Sequence, residues 1–388
     1  MSYKLGITYI LLSILFLQVN ANNYQSGANS TFEYIPILKG KKIGVVVNQT
    51  STIGSIHLVD SLLKLGINIQ IIFAPEHGYR GTADAGEHIE NEKDPKTGIS
   101  LISLYGANHK PNAAQLKGID IVLFDIQDVG VRFYTYLSTL HYVMEACAEN
   151  KIQLIVLDRP NPNGFYVDGP VMEKKYMSFV GLHPVPIVYG MTIGEYALMI
   201  NGELWLKNKI ICDLKVIKIM KYNRKNQCVK LPIKPSPNLP NSRSIYLYPS
   251  LGLFEGTVIS VGRGTDLQFQ IFGHPKMKPI HSFKFTPESK PGAKSPLLQG
   301  FLCNGVNLQQ DTTCLNSTNH FNLRYLIYAY KETNDTSFFL KNGFFEKLAG
   351  TDALREQLIK DKSENFIRST WKKGLEEFAK IRKKYLIY

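Results

Sequence analysis

The first half of the chain alternates short apolar runs with stretches of helical spacing. KIGVVV (42–47) is a β-branched run of the buried-strand kind. Across 55–65, Ile56, Val59, Leu62 and Leu63 recur on one helical face, and Gly66 closes the stretch. INIQIIF (67–73), ISLISL (99–104) and IDIVLFDI (119–126) read as further strands, and a helix over 136–150 precedes IQLIVL (152–157). Strands alternating with helices of this length predict βαβ units, that is, an α/β fold with a parallel sheet covered on both faces.

Past Trp205 the texture changes. Residues 207–230 are rich in lysine and isoleucine, and KPSPNLPN (234–241) is a proline-rich connection, so a domain boundary is expected in this region. GLFEGT (252–257) and VGRGT (261–265) read as glycine-rich strands. From Phe321 onward the pattern is helical: Leu354, Leu358 and Ile359, then Phe366, Ile367 and Trp371, keep helical spacing, with Ser363 as an N-cap.

Candidate chemistry gathers where the strands end. Asn48, Gln49 and Thr50 follow the first strand, and PEHGYRG (75–81) the second. Asp125, Gln127, Asp128 and Arg132 follow the fourth, and DRPNPNG (158–164), with Asn161, the fifth. Ligands of open α/β sheets bind outside the carboxyl ends of the strands, so four such ends describe one polar crevice. A single acidic strand end would more often cap a helix. The turn after the first strand is not G-x-G-x-x-G, and neither a phosphate-binding G-x-x-x-x-G-K-[ST], an H-E-x-x-H nor a G-x-S-x-G is present. The sheet is therefore used for something other than dinucleotides, and no cofactor is called for.

In PEHGYRGTADAGEH (75–88), Glu76-His77 and Glu87-His88 stand eleven residues apart in a Gly- and Ala-rich loop. Two carboxylates held there form the minimal kit for general acid and base catalysis of glycosidic hydrolysis. Two other readings stand beside this one. The glutamates could pair with Arg80 and nearby lysines, or Glu and His could ligate a metal, although no third ligand cluster is evident. Tyr134 and Tyr136, beside Asp128 and Arg132, suit stacking on a sugar or membership of a buried aromatic cluster. Arg80, Arg159 and Arg263 each suit either bidentate recognition of a substrate carboxylate or a structural ion pair.

Composition narrows the class. With 388 residues, 44% hydrophobic and 20% charged, the chain is neither disordered, a coiled coil nor a small disulfide scaffold, and it is long enough for two domains. Its 45 Lys and Arg exceed its 32 Asp and Glu by 13, a balance that suits acidic partners. The lysine-rich stretches at 215–230 and 372–384 carry no nucleic-acid motif and read as solvated faces. Lys4, the apolar run 5–17 and Val19-Asn20-Ala21 read as a signal peptide over 1–21, the alternative being an uncleaved anchor helix. Cleavage would remove Lys4 and leave a charge of 13 − 1 = +12 on a soluble, exported chain with no membrane contact, for which nucleic acid is an improbable partner. Of five cysteines, Cys212 with Cys228 and Cys303 with Cys314 could pair in an oxidising compartment, while Cys147 sits in a helical apolar pattern as a core residue.

Taken together, LKGKKIGVVVNQTS, FAPEHGYRGTADAGEH, FDIQDVGVRFYTYLSTL, LDRPNPNG…VDGP, YGMTIGEYA, PSPNLPN and LYPSLGLFEGT…VGRGTDLQFQIFGHP resemble the bacterial exo-β-N-acetylmuramidase family, as does the ending from GTDALREQL onward. The likeness runs from about Ile35 to Tyr388. It implies a Rossmann-like parallel-sheet catalytic domain (35–205) and a smaller α+β auxiliary domain (206–388), with the site in the cleft between them. It further implies an exo-acting glycoside hydrolase, periplasmic or secreted, that releases non-reducing terminal N-acetylmuramic acid from peptidoglycan-derived muropeptides or disaccharides. The alternative is an exported binding protein that captures such fragments uncleaved. Carried onto this sequence, Glu76 is the first choice for acid/base and Glu87 the second. His77, Arg80, Asp125, Gln127, Tyr134, Asn161, Asn238, Glu255, Arg263 and Thr265 are expected to line the cleft, with Asp128 and Arg132 beside them. The second catalytic function would fall to Glu87, Asp125, Asp128 or the sugar's own N-acetyl carbonyl.

Overall fold

The computed structural model describes residues 24–79, 92–225, 229–278, 282–311, 321–333 and 335–388. The expected signal peptide, Arg80, Glu87, His88, Cys228 and Cys314 lie outside the described residues. Six parallel strands form the main sheet: β1 (Lys42–Val47), β2 (Asn68–Ala74), β3 (Ser100–Ser103), β4 (Ile121–Asp125), β5 (Gln153–Leu157) and β6 (Leu214–Ile217). Their spatial order is β3-β2-β1-β4-β5-β6, with the short antiparallel strand Glu92–Lys93 at the β3 edge. This is the Rossmann order, with its topological switch between β1 and β4.

Alternation of side chains divides two cores. Ile43, Val45, Val47, Leu123 and Ile155 point to one face, against helices Thr31–Leu38 and Leu58–Lys64. Val46, Val122, Phe124, Leu154 and Val156 point to the other, where helices Tyr136–Glu149 and Ile193–Gly202 cover them. Burial on both faces is why these strands read as unbroken apolar runs. The second core continues without a break through Leu247, Phe254, Phe272, Phe345 and Ile367 into the other half of the chain.

That half holds a three-stranded antiparallel sheet (Ile271–His274, Cys303–Asn307, Lys284–Phe285) and helices Ser242–Leu251, Arg324–Thr333, Phe344–Ala349, Ala353–Ile359 and Glu364–Lys383. The main sheet is not complete at residue 205, because β6 pairs in parallel with β5.

Several local expectations need correction. The helix expected over 55–65 starts only at Leu58, where the His57 ring caps the Val59 N–H; Ile56–His57 forms a hairpin strand with Thr52–Ile53. Gly252–Gly256 is a 3-10 turn rather than a strand, and it packs Gly252 so closely on the Phe133 ring that a Cβ there would stand 2.3 Å from it. Ser363 does cap its helix, but Ile359 and Phe366 point to solvent while Leu354, Leu358, Ile367 and Trp371 are buried. Cys147, Cys212 and Cys303 are buried free thiols, and Cys228 and Cys314, the partners considered for Cys212 and Cys303, lie outside the described residues.

Candidate active site

A cavity of about 220 Å³ opens between the two halves, outside the ends of β2, β3 and β4. Glu76 and His77 enter from the loop after β2, Tyr105 from the end of β3, and Phe133, Tyr134 and Thr135 from the segment leading into helix Tyr136–Glu149. The opposite wall is Ser236, Asn238, Leu239, Tyr248, Glu255, Arg263, Phe269, Phe344 and Leu348, with Phe179 and Val180 at the side. Charged groups set among aromatic rings suit an amphipathic ligand such as a sugar, which offers hydroxyls at its edge and C–H groups on its face.

Glu76 is held from below. Thr135 Oγ1 donates to its Oε2 at 2.6 Å, and the Tyr136 hydroxyl reaches its backbone carbonyl at 3.4 Å. Burial and the Glu76 carboxylate together push the Tyr105 phenol well above its usual range, so it stays protonated, and it hydrogen-bonds Glu76. His77 has φ 70, left-handed for a non-glycine residue, and its Nε2 lies 3.2 Å from Ser236 Oγ. Backbone held in that region tends to sit at functional sites, where surrounding contacts maintain it.

Across the cavity, Arg263 Nη2 donates to Glu255 Oε1 at 2.5 Å. Burial lowers the affinity of this guanidinium for its proton, but the charge and hydrogen bond of Glu255 outweigh that and leave its pKa raised. Asn238 donates to the Gly292 carbonyl at 2.8 Å, and Tyr134 to the Pro235 carbonyl at 2.8 Å, fixing the proline-rich connection as a wall. Among the described residues, no group of three or more His, Cys, Asp or Glu is placed to hold a metal ion.

Glu76, His77, Tyr134, Asn238, Glu255 and Arg263 are thus brought together. Several other expected residues are not among the lining. Asp125, wholly buried, is gripped by Arg159 at 2.5 and 2.8 Å. Gln127 donates to the Asp128 and Pro160 carbonyls, and Asn161 to the Met191 carbonyl. Thr265 donates within its own turn to the Gly262 carbonyl. Asp128 accepts from Gly130 N at 2.7 Å and from the Tyr189 hydroxyl; burial, against the pull of these donors, pushes its carboxyl up to about 6. Buried polar groups must find partners, and the ends of β1, β4 and β5 find one another rather than a ligand.

Arg132 is the clearest departure. It is 2% exposed and spends its fork on four carbonyls: Pro170, Val185, and Leu348 and Ala349 at the end of helix Phe344–Ala349. Burial brings its pKa down to about 9. Gly350, at φ +79, closes that helix, and a Cβ there would stand 2.6 Å from Arg132 Nη2. Arg132 is a clamp between the two halves.

Tyr105, Thr135, Phe179, Ser236, Tyr248 and Phe269 were missed as lining residues. Tyr105 sits at the end of the third strand and was open to the same strand-end reasoning. Thr135 precedes a helix, where a hydroxyl reads as a cap, yet it makes no cap bond and donates to Glu76 instead.

Comparison with known proteins agrees with this architecture. Residues 43–243 match the family model described as "Exo-beta-N-acetylmuramidase NamZ, N-terminal", and residues 246–388 its C-terminal counterpart. The chain is 40% identical over 378 residues to the peptidoglycan beta-N-acetylmuramidase NamZ of Bacillus subtilis (strain 168), covering 92% of this chain and 89% of that protein. A crystal structure of a DUF1343 family protein from Bacteroides fragilis superposes with a TM-score of 0.87 at 47% identity, over 94% of this chain and 99% of that one. A second DUF1343 structure from the same organism gives 0.79 at 28% identity, over 95% and 99%. With the two family models matched over residues 43–243 and 246–388 and 40% identity to a named member across most of both chains, the chain belongs to the exo-β-N-acetylmuramidase NamZ family.

Proposed function

We propose that the chain is an exo-acting glycoside hydrolase that releases N-acetylmuramic acid from the non-reducing end of peptidoglycan fragments, with Glu76 as its acid/base. The observation that carries the assignment is the position of Glu76: in the interdomain cavity, with its carboxylate oriented by Thr135 and walled by aromatic rings. In the first half of the reaction Glu76 gives its proton to the leaving oxygen, which takes the bonding electron pair as its bond to the anomeric carbon breaks and leaves that carbon an oxocarbenium-like centre. In the second half, water adds to the same carbon and the Glu76 carboxylate takes up the proton that water loses. Asp125 and Asp128 do not line the cavity, and Glu255 is committed to Arg263, which leaves Glu76 as the proton carrier among the described lining carboxylates.

The lysine excess suits the anionic bacterial wall, and the signal-like residues 1–21 support a periplasmic or secreted location. Cell fractionation tests that location: the chain belongs in the periplasm or medium, and retention in the cytoplasm would refute it.

Activity is tested by incubating the protein with a disaccharide bearing muramic acid at its non-reducing end, followed by mass spectrometry. The hydrolase yields both free sugars. Recovery of intact disaccharide bound to the protein would instead identify a capture protein.

A further inference from the structure

The cavity holds two carboxylates, Glu76 and Glu255, and one lysine or arginine among the described lining residues, Arg263. Arg263 is therefore the described lining group placed to attract the anionic part of a sugar. The Arg263 side chain, 24% exposed, is held on two sides. Glu255 binds Nη2 at 2.5 Å, and the buried Phe269 ring lies under the guanidinium at 5.2 Å. A guanidinium has five N–H donors, and among the described residues Glu255 is the hydrogen-bond partner of this one. A rigid, pre-oriented fork with donors to spare is the arrangement that receives a carboxylate in bidentate fashion.

Resting on the hydrolase reading above, we propose that Arg263 receives the lactyl carboxylate of muramic acid and thereby sets the preference of the cavity for N-acetylmuramic acid over N-acetylglucosamine. Glu255 acts as the anchor that keeps the guanidinium turned toward the sugar. The neutral sugar lacks the lactyl group and leaves the remaining donors of Arg263 without a partner, which makes it the poorer ligand.

The test uses N-acetylmuramic acid, its lactyl methyl ester and N-acetylglucosamine as ligands of the full chain, with affinities measured by calorimetry. Wild type should bind the acid roughly 10- to 100-fold more tightly than the uncharged ester. Arg263→Gln should bind acid and ester equally, with ester affinity close to wild type, and Arg263→Lys should restore part of the preference. A preference that survives intact in Arg263→Gln, or an equal loss of acid and ester binding, would overturn the proposal. Equal binding of acid and ester by wild type would overturn it too. The two readings fail separately: wild type that favours the acid but never cleaves the disaccharide refutes the hydrolase, not the role of Arg263.

Discussion

Thr135 Oγ1 donates a 2.6 Å hydrogen bond to Glu76 Oε2, tying the loop after β2 to the residue that opens helix Tyr136–Glu149. The bond fixes a flexible carboxylate against a rigid element, and catalytic geometry held on such elements is sensitive to small displacements. Thr135→Val keeps the shape and removes the donor. It should lower kcat roughly 10-fold, the kinetic equivalent of one hydrogen bond to a charged group, with KM nearly unchanged. Steady-state kinetics check this, and an unaltered kcat would show that the bond has no part in turnover.

Glu255 shares the cavity with Glu76 but is bonded to Arg263. If it is an anchor for the cation, Glu255→Gln should raise KM for a muramide several-fold and spare most of kcat. A loss of kcat as deep as that of Glu76→Gln, with KM unchanged, would make Glu255 a second catalytic carboxylate.

Arg132 was expected at the substrate and instead binds four carbonyls across the two halves. Arg132→Met should cost about 3 kcal/mol or more of stability, since four buried acceptors lose their donor. Chemical denaturation measures this. A stable variant that had lost kcat would return Arg132 to the substrate.

Asp128 gives the stability of the fold a pH dependence. Its carboxyl, ordinarily near 3.8, is raised to about 6 in the fold, chiefly by burial. The folded state therefore holds the proton more tightly than the unfolded one. The stabilisation linked to this proton is fully present below about pH 4 and is lost as the pH rises through about 6. Two units correspond to about 3 kcal/mol. Between pH 4 and pH 8, Asp128→Asn should gain on wild type by up to that amount in unfolding free energy. A difference between the two that does not change with pH would contradict the assignment.

How much of this could be read from the chain depends on what each residue answers to. The strands of the main sheet were legible because VVV, IIF and IVL are buried on both faces and admit few polar residues. Their Rossmann order was implied by family resemblance, not by periodicity, which carries no information about neighbours. PEHG pointed to Glu76 and His77 because it follows a strand end, while the choice of Glu76 over ion pairing or metal ligation came from the family resemblance. The polar ends of β1, β4 and β5 misled for a physical reason: Asp125 with Arg159 satisfies a buried charge, and in one dimension such a pair looks the same as a site. Phe179, Ser236 and Phe269 come from distant segments, and their meeting is a property of the fold alone.

The most direct measurement is the rate at which a chromogenic β-N-acetylmuramide loses its chromophore in the presence of wild type and of Glu76→Gln, with circular dichroism showing both folded. Wild type should release the chromophore and Glu76→Gln should be slower by about 10²- to 10⁴-fold, the usual contribution of a general acid/base. No release by wild type, or release by Glu76→Gln at the wild-type rate, would contradict the assignment of this cavity and of Glu76.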